Sequence, residues 1–221
     1  MSIIGTSKTR KYSINGSFFN MWSADMAYVF GFWIADGYMR IDKSYRISFS
    51  SADREILVQI RDAMHSTHPI QKDSRSNCWN LYIFSKALYF GLLHLGGSRA
   101  KSRTISFPSV PNQYIRDFIR GYFDGDGSIH YISYVVTKTG KRRRELRSNF
   151  TSGNILFLKR LNMLLNEILD VSIKKIGVYN NGGSHKLGFS EQDTQKLLRF
   201  IHYPTYSLGL KRKAAFAIDA T

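Results

Sequence analysis

Two aspartates, Asp36 and Asp126, stand in the same local setting 90 residues apart. Each follows a small residue (Ala35 or Gly125) and precedes a glycine (Gly37 or Gly127). Each closes an apolar stretch: VFGFWIADGYMR from Val29 to Arg40, and FIRGYFDGDGSIH from Phe118 to His130. A helix C-terminus carries partial negative charge, so a carboxylate there is electrostatically unfavourable. Occurring once, the arrangement is an Asp-Gly turn. Occurring twice, on matched stretches, it suggests two carboxylates meant for one place, where they repel unless a cation lies between them. Oxygen ligands completed by water and phosphate describe a Mg²⁺ site, and such an ion can activate water and stabilise a leaving oxygen in phosphodiester hydrolysis.

The elements that must bring these acids together are legible in the same stretches. Gly31 and Ala35 are four apart in the first, Gly121 and Gly125 in the second. Residues at i and i+4 share a helix face, and small residues there let two backbones approach. The two helices are therefore expected to pack on each other as the dyad of a pseudo-two-fold fold, with their C-terminal ends side by side. Gly37 and Gly127 are expected to end them in the left-handed conformation.

Repetition extends beyond the acids. RISFSS (Arg46–Ser51) answers RSNFTS (Arg147–Ser152), and LYIFS (Leu81–Ser85) answers KLGFS (Lys186–Ser190). The offset grows from 90 at the aspartates to 101 at Phe49/Phe150 and 105 at Phe84/Phe189, so the second copy holds insertions, chiefly the basic TKTGKRRRE (Thr137–Glu145). Each copy reads as helix, two strands, helix, two strands, helix. The spacing predicts a helix over 24–35 with Ser23 as N-cap. It predicts an amphipathic helix in DREILVQIRDAM, and strands in the alternating stretches. Gly96 is expected to close the last helix of the first copy, and Asn112 to cap the first helix of the second. The expected class is α+β, a pseudo-two-fold pair of αββαββα subdomains: residues 1–98 with a basic N-terminal arm, a linker over 99–111, and residues 112–221.

Composition narrows the partner. Lys and Arg number 32 against 16 Asp and Glu, a net charge of +16 over 221 residues. That excess opposes compaction by self-repulsion and suits a polyanionic partner. No apolar run approaches the ~18 residues of a membrane span. A lone cysteine, Cys78, excludes an intrachain disulfide and a thiolate zinc cluster. The N-terminus lacks the apolar core of a secretory signal. The expected location is the cytoplasm of a bacterial, archaeal or phage-infected cell, with a eukaryotic organelle as the alternative.

Laid on a nine-residue pattern, the two stretches read V-F-G-F-W-I-A-D-G (Val29–Gly37) and I-R-G-Y-F-D-G-D-G (Ile119–Gly127). They resemble the paired motifs of single-chain LAGLIDADG homing endonucleases, and the resemblance spans nearly the whole chain. It implies a monomer whose motif helices pack at the dyad and whose antiparallel β saddles grip double-stranded DNA. It further implies Mg²⁺-dependent, site-specific double-strand cleavage at a long pseudo-palindromic or asymmetric target, with Mn²⁺ substituting. The metal-binding acid of the pattern is the second, present in both copies as Asp36 and Asp126, with the carbonyls of Ala35 and Gly125 facing the metals. Ile34 replaces the first acid in one copy. Family enzymes carry a basic residue beside the scissile phosphates. The resemblance places it in AKSRT and LKRKA, at Lys101 and Lys211, with Arg103 and Lys213 as rivals. An intron maturase acting on RNA and a non-cleaving regulator are the alternatives on the same fold; both would normally discard the acids.

A β-ribbon fits the major groove of B-DNA. With Phe49 and Phe150 marking the buried phase, Arg46, Ser48 and Ser50 face outward in one half, and Arg147, Asn149 and Thr151 in the other. By the same count Arg40, Asp42 and His130 face the groove, and Lys186 joins them. Lys72, Arg75, Lys141, Arg142, Arg143 and Arg144 are expected on phosphates, which position without specifying sequence.

Overall fold

The computed structural model describes residues 11–99, 101–179 and 183–218, apart from the side chains of Ser102, Arg103 and Ile218. The expected basic arm before residue 11 lies outside the described residues. Among the described residues the two copies give eight strands in two sheets and two families of helices.

In the first half, α1 (Ala24–Asp36) leads into β1 (Gly37–Ile41), β2 (Tyr45–Ser51), α2 (Arg54–Ala63), β3 (Ile70–Lys72), β4 (Trp79–Phe84) and α3 (Lys86–His94). The second half repeats the order as α5 (Ile115–Asp126), β5 (Gly127–Val135), β6 (Arg142–Ser152), α6 (Ile155–Leu169), β7 (Ile176–Tyr179), β8 (Ser184–Phe189) and α7 (Glu191–Ile201). Two short helices lie outside the repeat, α4 (Lys101–Thr104) after the first half and α8 (Lys211–Ile218) after the second. Each sheet is antiparallel, with orders β1-β2-β4-β3 and β5-β6-β8-β7. The α+β class and the αββαββα repeat expected from the sequence are what the chain adopts.

α1 starts where Ser23 Oγ accepts a hydrogen bond from Met26 N at 3.1 Å, satisfying one of the four orphan amides of the first turn. Every residue from Met26 to Ile34 is buried. A helix apolar on all sides must be covered on all sides. α1 is covered by α5 and by its own sheet, whose inward side chains Met39, Ile47, Phe49, Leu81 and Ile83 are fully buried. α5 is equally enclosed, but three of its buried residues are charged: Asp117, Arg120 and Asp124.

Three local expectations need correction. Gly37 and Gly127 do not end their helices in the left-handed region. Their φ values are −94° and −86°, so each helix runs straight into an extended strand. Glycine is needed there for room: a Cβ at Gly37 would lie 2.2 Å from the Trp33 ring, and one at Gly127 2.2 Å from the Phe123 ring. Asn112 opens a 3-10 turn (Asn112–Tyr114) and does not cap α5. The segment expected as plain linker contains α4. Gly96, by contrast, has φ +91° and closes α3 as expected. Among the described residues no helix is long and apolar enough to cross a membrane.

Candidate active site

The site begins at the crossing of α1 and α5. A Cβ at Gly31 would lie 2.1 Å from the Phe118 carbonyl oxygen, and one at Gly121 2.0 Å from that of Tyr28. The next contacts are Tyr122 N and Phe32 N, at 3.0 and 2.9 Å. Tyr28/Phe118 and Phe32/Tyr122 are themselves pairs 90 residues apart, so the two contacts are one contact seen twice across a pseudo-dyad. One turn further on, a Cβ at Gly125 would lie 2.3 Å from the Ala35 Cβ. The crossing there has room for a single methyl group, and Ala35 supplies it.

Backbone-to-backbone packing of this kind leaves the two C-termini adjacent. A Cβ at Gly125 would lie 3.3 Å from Asp36 Oδ2. Burial, and then the charge of Asp36, push Asp126 up to about 7. Burial likewise raises Asp36, while Lys101 and Lys213 pull both carboxyls down. No hydrogen-bond donor among the described residues meets either carboxylate. Two acids raised by confinement, Asp126 also by the charge of Asp36, with no side-chain donor on either, suit a hard divalent cation completed by water and phosphate oxygens.

Each helix end also receives a buried lysine. Lys101, from α4, donates to the carbonyls of Ile34 at 2.6 Å and Ala35 at 2.9 Å. Lys213, from α8, donates to Phe123 at 2.5 Å, Asp124 at 2.9 Å and Gly127 at 2.6 Å. An ammonium on the last carbonyls of a helix sits where the macrodipole favours it. Burial lowers both lysines to about 8, against the pull of the neighbouring aspartates. The Ala35 carbonyl therefore already bonds an ammonium.

Lys211, expected at this place, is elsewhere. Its side chain is 79% exposed and pairs with Glu55 on α2. α8 starts at Lys211, and its inner face is Leu210, Lys213, Ala214 and Ala217, the i, i+3, i+4, i+7 face of a helix. Reading LKRKAAFA for that period points to Lys213. Lys101 shows the same logic, four residues before buried Ile105. The Arg103 side chain is outside the described residues.

A match to the LAGLIDADG-like domain family covers residues 23–88. Over the whole chain, the structure is similar to that of the I-SmaMI LAGLIDADG homing endonuclease bound to cleaved DNA. The TM-score is 0.63 at 16% identity, over 90% of this chain and 88% of that one. It is also similar to the LAGLIDADG meganuclease I-CpaMI bound to uncleaved DNA, with TM-score 0.61 and 14% identity over 90% of both chains. The chain carries a LAGLIDADG-like domain within the two-domain LAGLIDADG meganuclease fold. Two curated relatives match only in part. The DNA polymerase II large subunit of Thermococcus kodakarensis is 29% identical over 122 residues, which are 50% of this chain and 7% of that protein. The DNA-directed RNA polymerase subunit Rpo1C of Methanocaldococcus jannaschii is 26% identical over 145 residues, 63% of this chain and 16% of that protein. The chain thus spans a small fraction of the length of either.

Within the LAGLIDADG fold, strand register distributes the expected DNA contacts. Arg40 pairs across β1 and β2 with Arg46, on the face opposite the buried Met39 and Ile47. Ser48 and Ser50 follow on that face. Arg40 forms an ion pair with Asp42, and Arg46 lies over the Tyr82 ring at 5.1 Å. Ser48 is only 6% exposed, because Tyr38 and Tyr82 are its register partners on either side. Its hydroxyl donates to the Tyr38 carbonyl at 3.3 Å, and Ser50 Oγ donates to Asn80 Oδ1 at 2.5 Å. Lys72 bonds Asn77 at 2.6 Å over the Trp79 ring, and Arg75 is exposed in the β3–β4 turn.

In the second sheet His130 pairs with Arg147, Asn149 with Gly188, and Thr151 with Lys186, all on the face opposite Leu146 and Phe150. Asp126, His130, Asn149, Thr151 and Lys186 line one cavity of about 500 Å³. Thr151 Oγ1 also donates to the Asp126 carbonyl at 3.0 Å. Arg147 pairs with Glu145 at 2.5 Å. The run Arg142–Arg144 splits by the same alternation. Arg143 shares the face of Arg147, while Arg142 and Arg144 fall on the other, and the Arg144 guanidinium stacks 3.7 Å over Tyr131. Lys141 sits exposed at the hairpin turn.

Proposed function

We propose that the protein is a site-specific, divalent-metal-dependent double-strand DNA endonuclease of the homing type, acting as a monomer. The observation that carries this reading is the pair of acid-ended helices, each closed by its own buried lysine, at the pseudo-dyad of a +16 chain. Antiparallel DNA strands are also related by a dyad, so two such half-sites match two scissile phosphates.

Asp36 and Asp126 would hold Mg²⁺, with Mn²⁺ as a substitute. When bound, the ion supplies Lewis acidity at the phosphate and acidity to an attacking water. The two aspartates, one at each helix end, would be its protein ligands. Lys101 and Lys213 place positive charge beside the phosphate that gains negative charge in the transition state. Poised near 8, each can also exchange a proton with water at neutral pH. Arg40, Arg46, Arg147, His130 and Lys186 offer donors to base edges, and Lys72, Arg75, Lys141 and Arg143 offer charge to phosphates. The two halves differ at these positions, so the target is an imperfect palindrome or asymmetric. The same two acids argue against a maturase or a regulator on this fold.

Incubation with a randomised duplex library and Mg²⁺, followed by sequencing of the ends, tests the reading. One recurrent long site cut on both strands is the expected outcome. Uncut libraries, or ends without a shared sequence, would refute it.

A further inference from the structure

The three buried charges of α5 have no role in the chemistry just described, yet they converge on the segment that delivers Lys213. Arg120 is 1% exposed. Its Nη1 donates to the Ile201 carbonyl at 3.0 Å, the last residue of α7, and its Nε to the Leu208 carbonyl at 2.9 Å, three residues before α8. Its Nη2 donates to Asp117 Oδ1 at 2.8 Å, and the Tyr203 hydroxyl donates to the same oxygen at 2.7 Å. The guanidinium lies 4.6 Å from the Tyr206 ring. Asp124 Oδ2 then accepts from Leu210 N at 2.9 Å and from the Tyr28 hydroxyl at 2.8 Å. Both ends of the irregular chain between α7 and α8 are thus tied to the motif helix.

The other half is an internal control. At the offset of 90, Asp117, Arg120 and Asp124 correspond to Ala27, Phe30 and Ile34, all buried and apolar. The same helix position is therefore compatible with a hydrophobic solution. A buried ion pair is often no more stabilising than such a solution, and its better attested use is to fix one geometry. The planar fork of Arg, with donors in set directions, suits that use.

We infer that Arg120, with Asp117 and Asp124, is a positioning clamp that sets the Lys213 ammonium at its helix end, and that the Lys101 side works without one. The inference rests on the endonuclease reading above. Loosening the clamp displaces Lys213 and slows one strand, leaving the other half-site to nick.

The test uses a duplex recovered from the randomised library, labelled separately on each strand. Lys213→Met and Lys101→Met first assign each lysine to the strand it slows. Arg120→Lys keeps a cation beside Asp117 but cannot reach both carbonyls. A displacement of about 1 Å costs on the order of 10²-fold in rate, so that loss is expected on the Lys213 strand, with the other strand changed less than about 3-fold and nicked product accumulating. Gln59→Ala gives a second variant outside the clamp. Gln59 accepts from Gly209 N at 3.1 Å on the same segment, and its loss should slow the same strand more mildly. Equal slowing of both strands by either variant, slowing of the Lys101 strand, or wild-type strand rates in Arg120→Lys would overturn the clamp. A wild-type protein that cuts neither strand would overturn the endonuclease reading instead.

Discussion

Replacing Gly121 with alanine probes the account where its geometry is tightest. The new Cβ would lie 2.0 Å from the Tyr28 carbonyl oxygen, about 1.4 Å inside the 3.4 Å at which ordinary contact begins. The obstacle is helix backbone, which cannot swing aside as a side chain can, so α1 and α5 must separate or slide. Overpacking of this size costs about 1–3 kcal/mol of stability, enough to lower the melting temperature by roughly 2–12 °C in a chain of this size. Cleavage should suffer more than folding. Asp36 and Asp126 are carried by the two helices that move, and about 1 Å of misplacement costs ~10²-fold. Gly31→Ala should behave alike, since its Cβ would meet the Phe118 carbonyl at 2.1 Å. Gly16→Ala is the control, with its Cβ at an ordinary 3.6 Å from Ala87. The assay pairs a thermal melt with single-turnover cleavage and DNA affinity on one preparation. If Gly121→Ala melts, binds and cuts as the wild type does, the close crossing is wrong, and with it the reason the two acids meet.

Three further outcomes follow from the geometry. Lys213→Met should abolish cutting of one strand, whereas Lys211→Met, at an exposed ion pair worth about 0–1 kcal/mol, should cut normally; the reverse result would restore Lys211. In the metal-free protein Asp126 should contribute a loss of stability as pH rises from about 4 to 7, because its folded carboxyl, raised to about 7, holds a proton that the unfolded chain has released, while buried His202, lowered to about 4, contributes with the opposite sign. Asp126→Asn should remove that slope and gain about 1–2 kcal/mol at pH 8 after allowance for the solvent reaching the carboxylate; urea melts across the range measure it, and a variant with the wild-type slope would contradict the assignment. DNA affinity should fall steeply with salt, with about −0.9 in log–log slope per neutralised phosphate and on the order of ten phosphates engaged; a slope near zero would rule out the polyanion reading.

The repeat, the crossing of small residues and the helix–strand order were legible because they are local patterns written twice. Strand phase was legible from Phe49 and Phe150, which placed Arg46 and Arg147 on the correct face. What was not legible depended on tertiary detail. The run Arg142–Arg144 looks uniform in sequence, but sheet alternation turns Arg144 onto Tyr131 and leaves Arg143 with Arg147. Ser48 is on the groove face yet covered, because its register partners are tyrosines. Gly37 and Gly127 look like helix terminators, but the constraint on them is the ring of Trp33 or Phe123 and not a positive φ. Lys213 was obscured by Lys211 and Arg212, since three consecutive cations give no phase until Leu210, Ala214 and Ala217 are read as the inner face of a helix. Arg120 showed only its i, i+3 pairing with Asp117, because its other partners, Ile201 and Leu208, are backbone carbonyls more than eighty residues away.

The central claim is that Asp36 and Asp126 together make a metal-dependent nuclease. It is tested most directly by following both strands of the recovered duplex, in Mg²⁺ and in EDTA, with wild type, Asp36→Asn and Asp126→Asn. The account predicts double-strand cutting by the wild type only with the ion, and none by either variant, with specific DNA binding largely retained by all three. Full double-strand cutting by Asp36→Asn or Asp126→Asn, or undiminished cutting in EDTA, would contradict it.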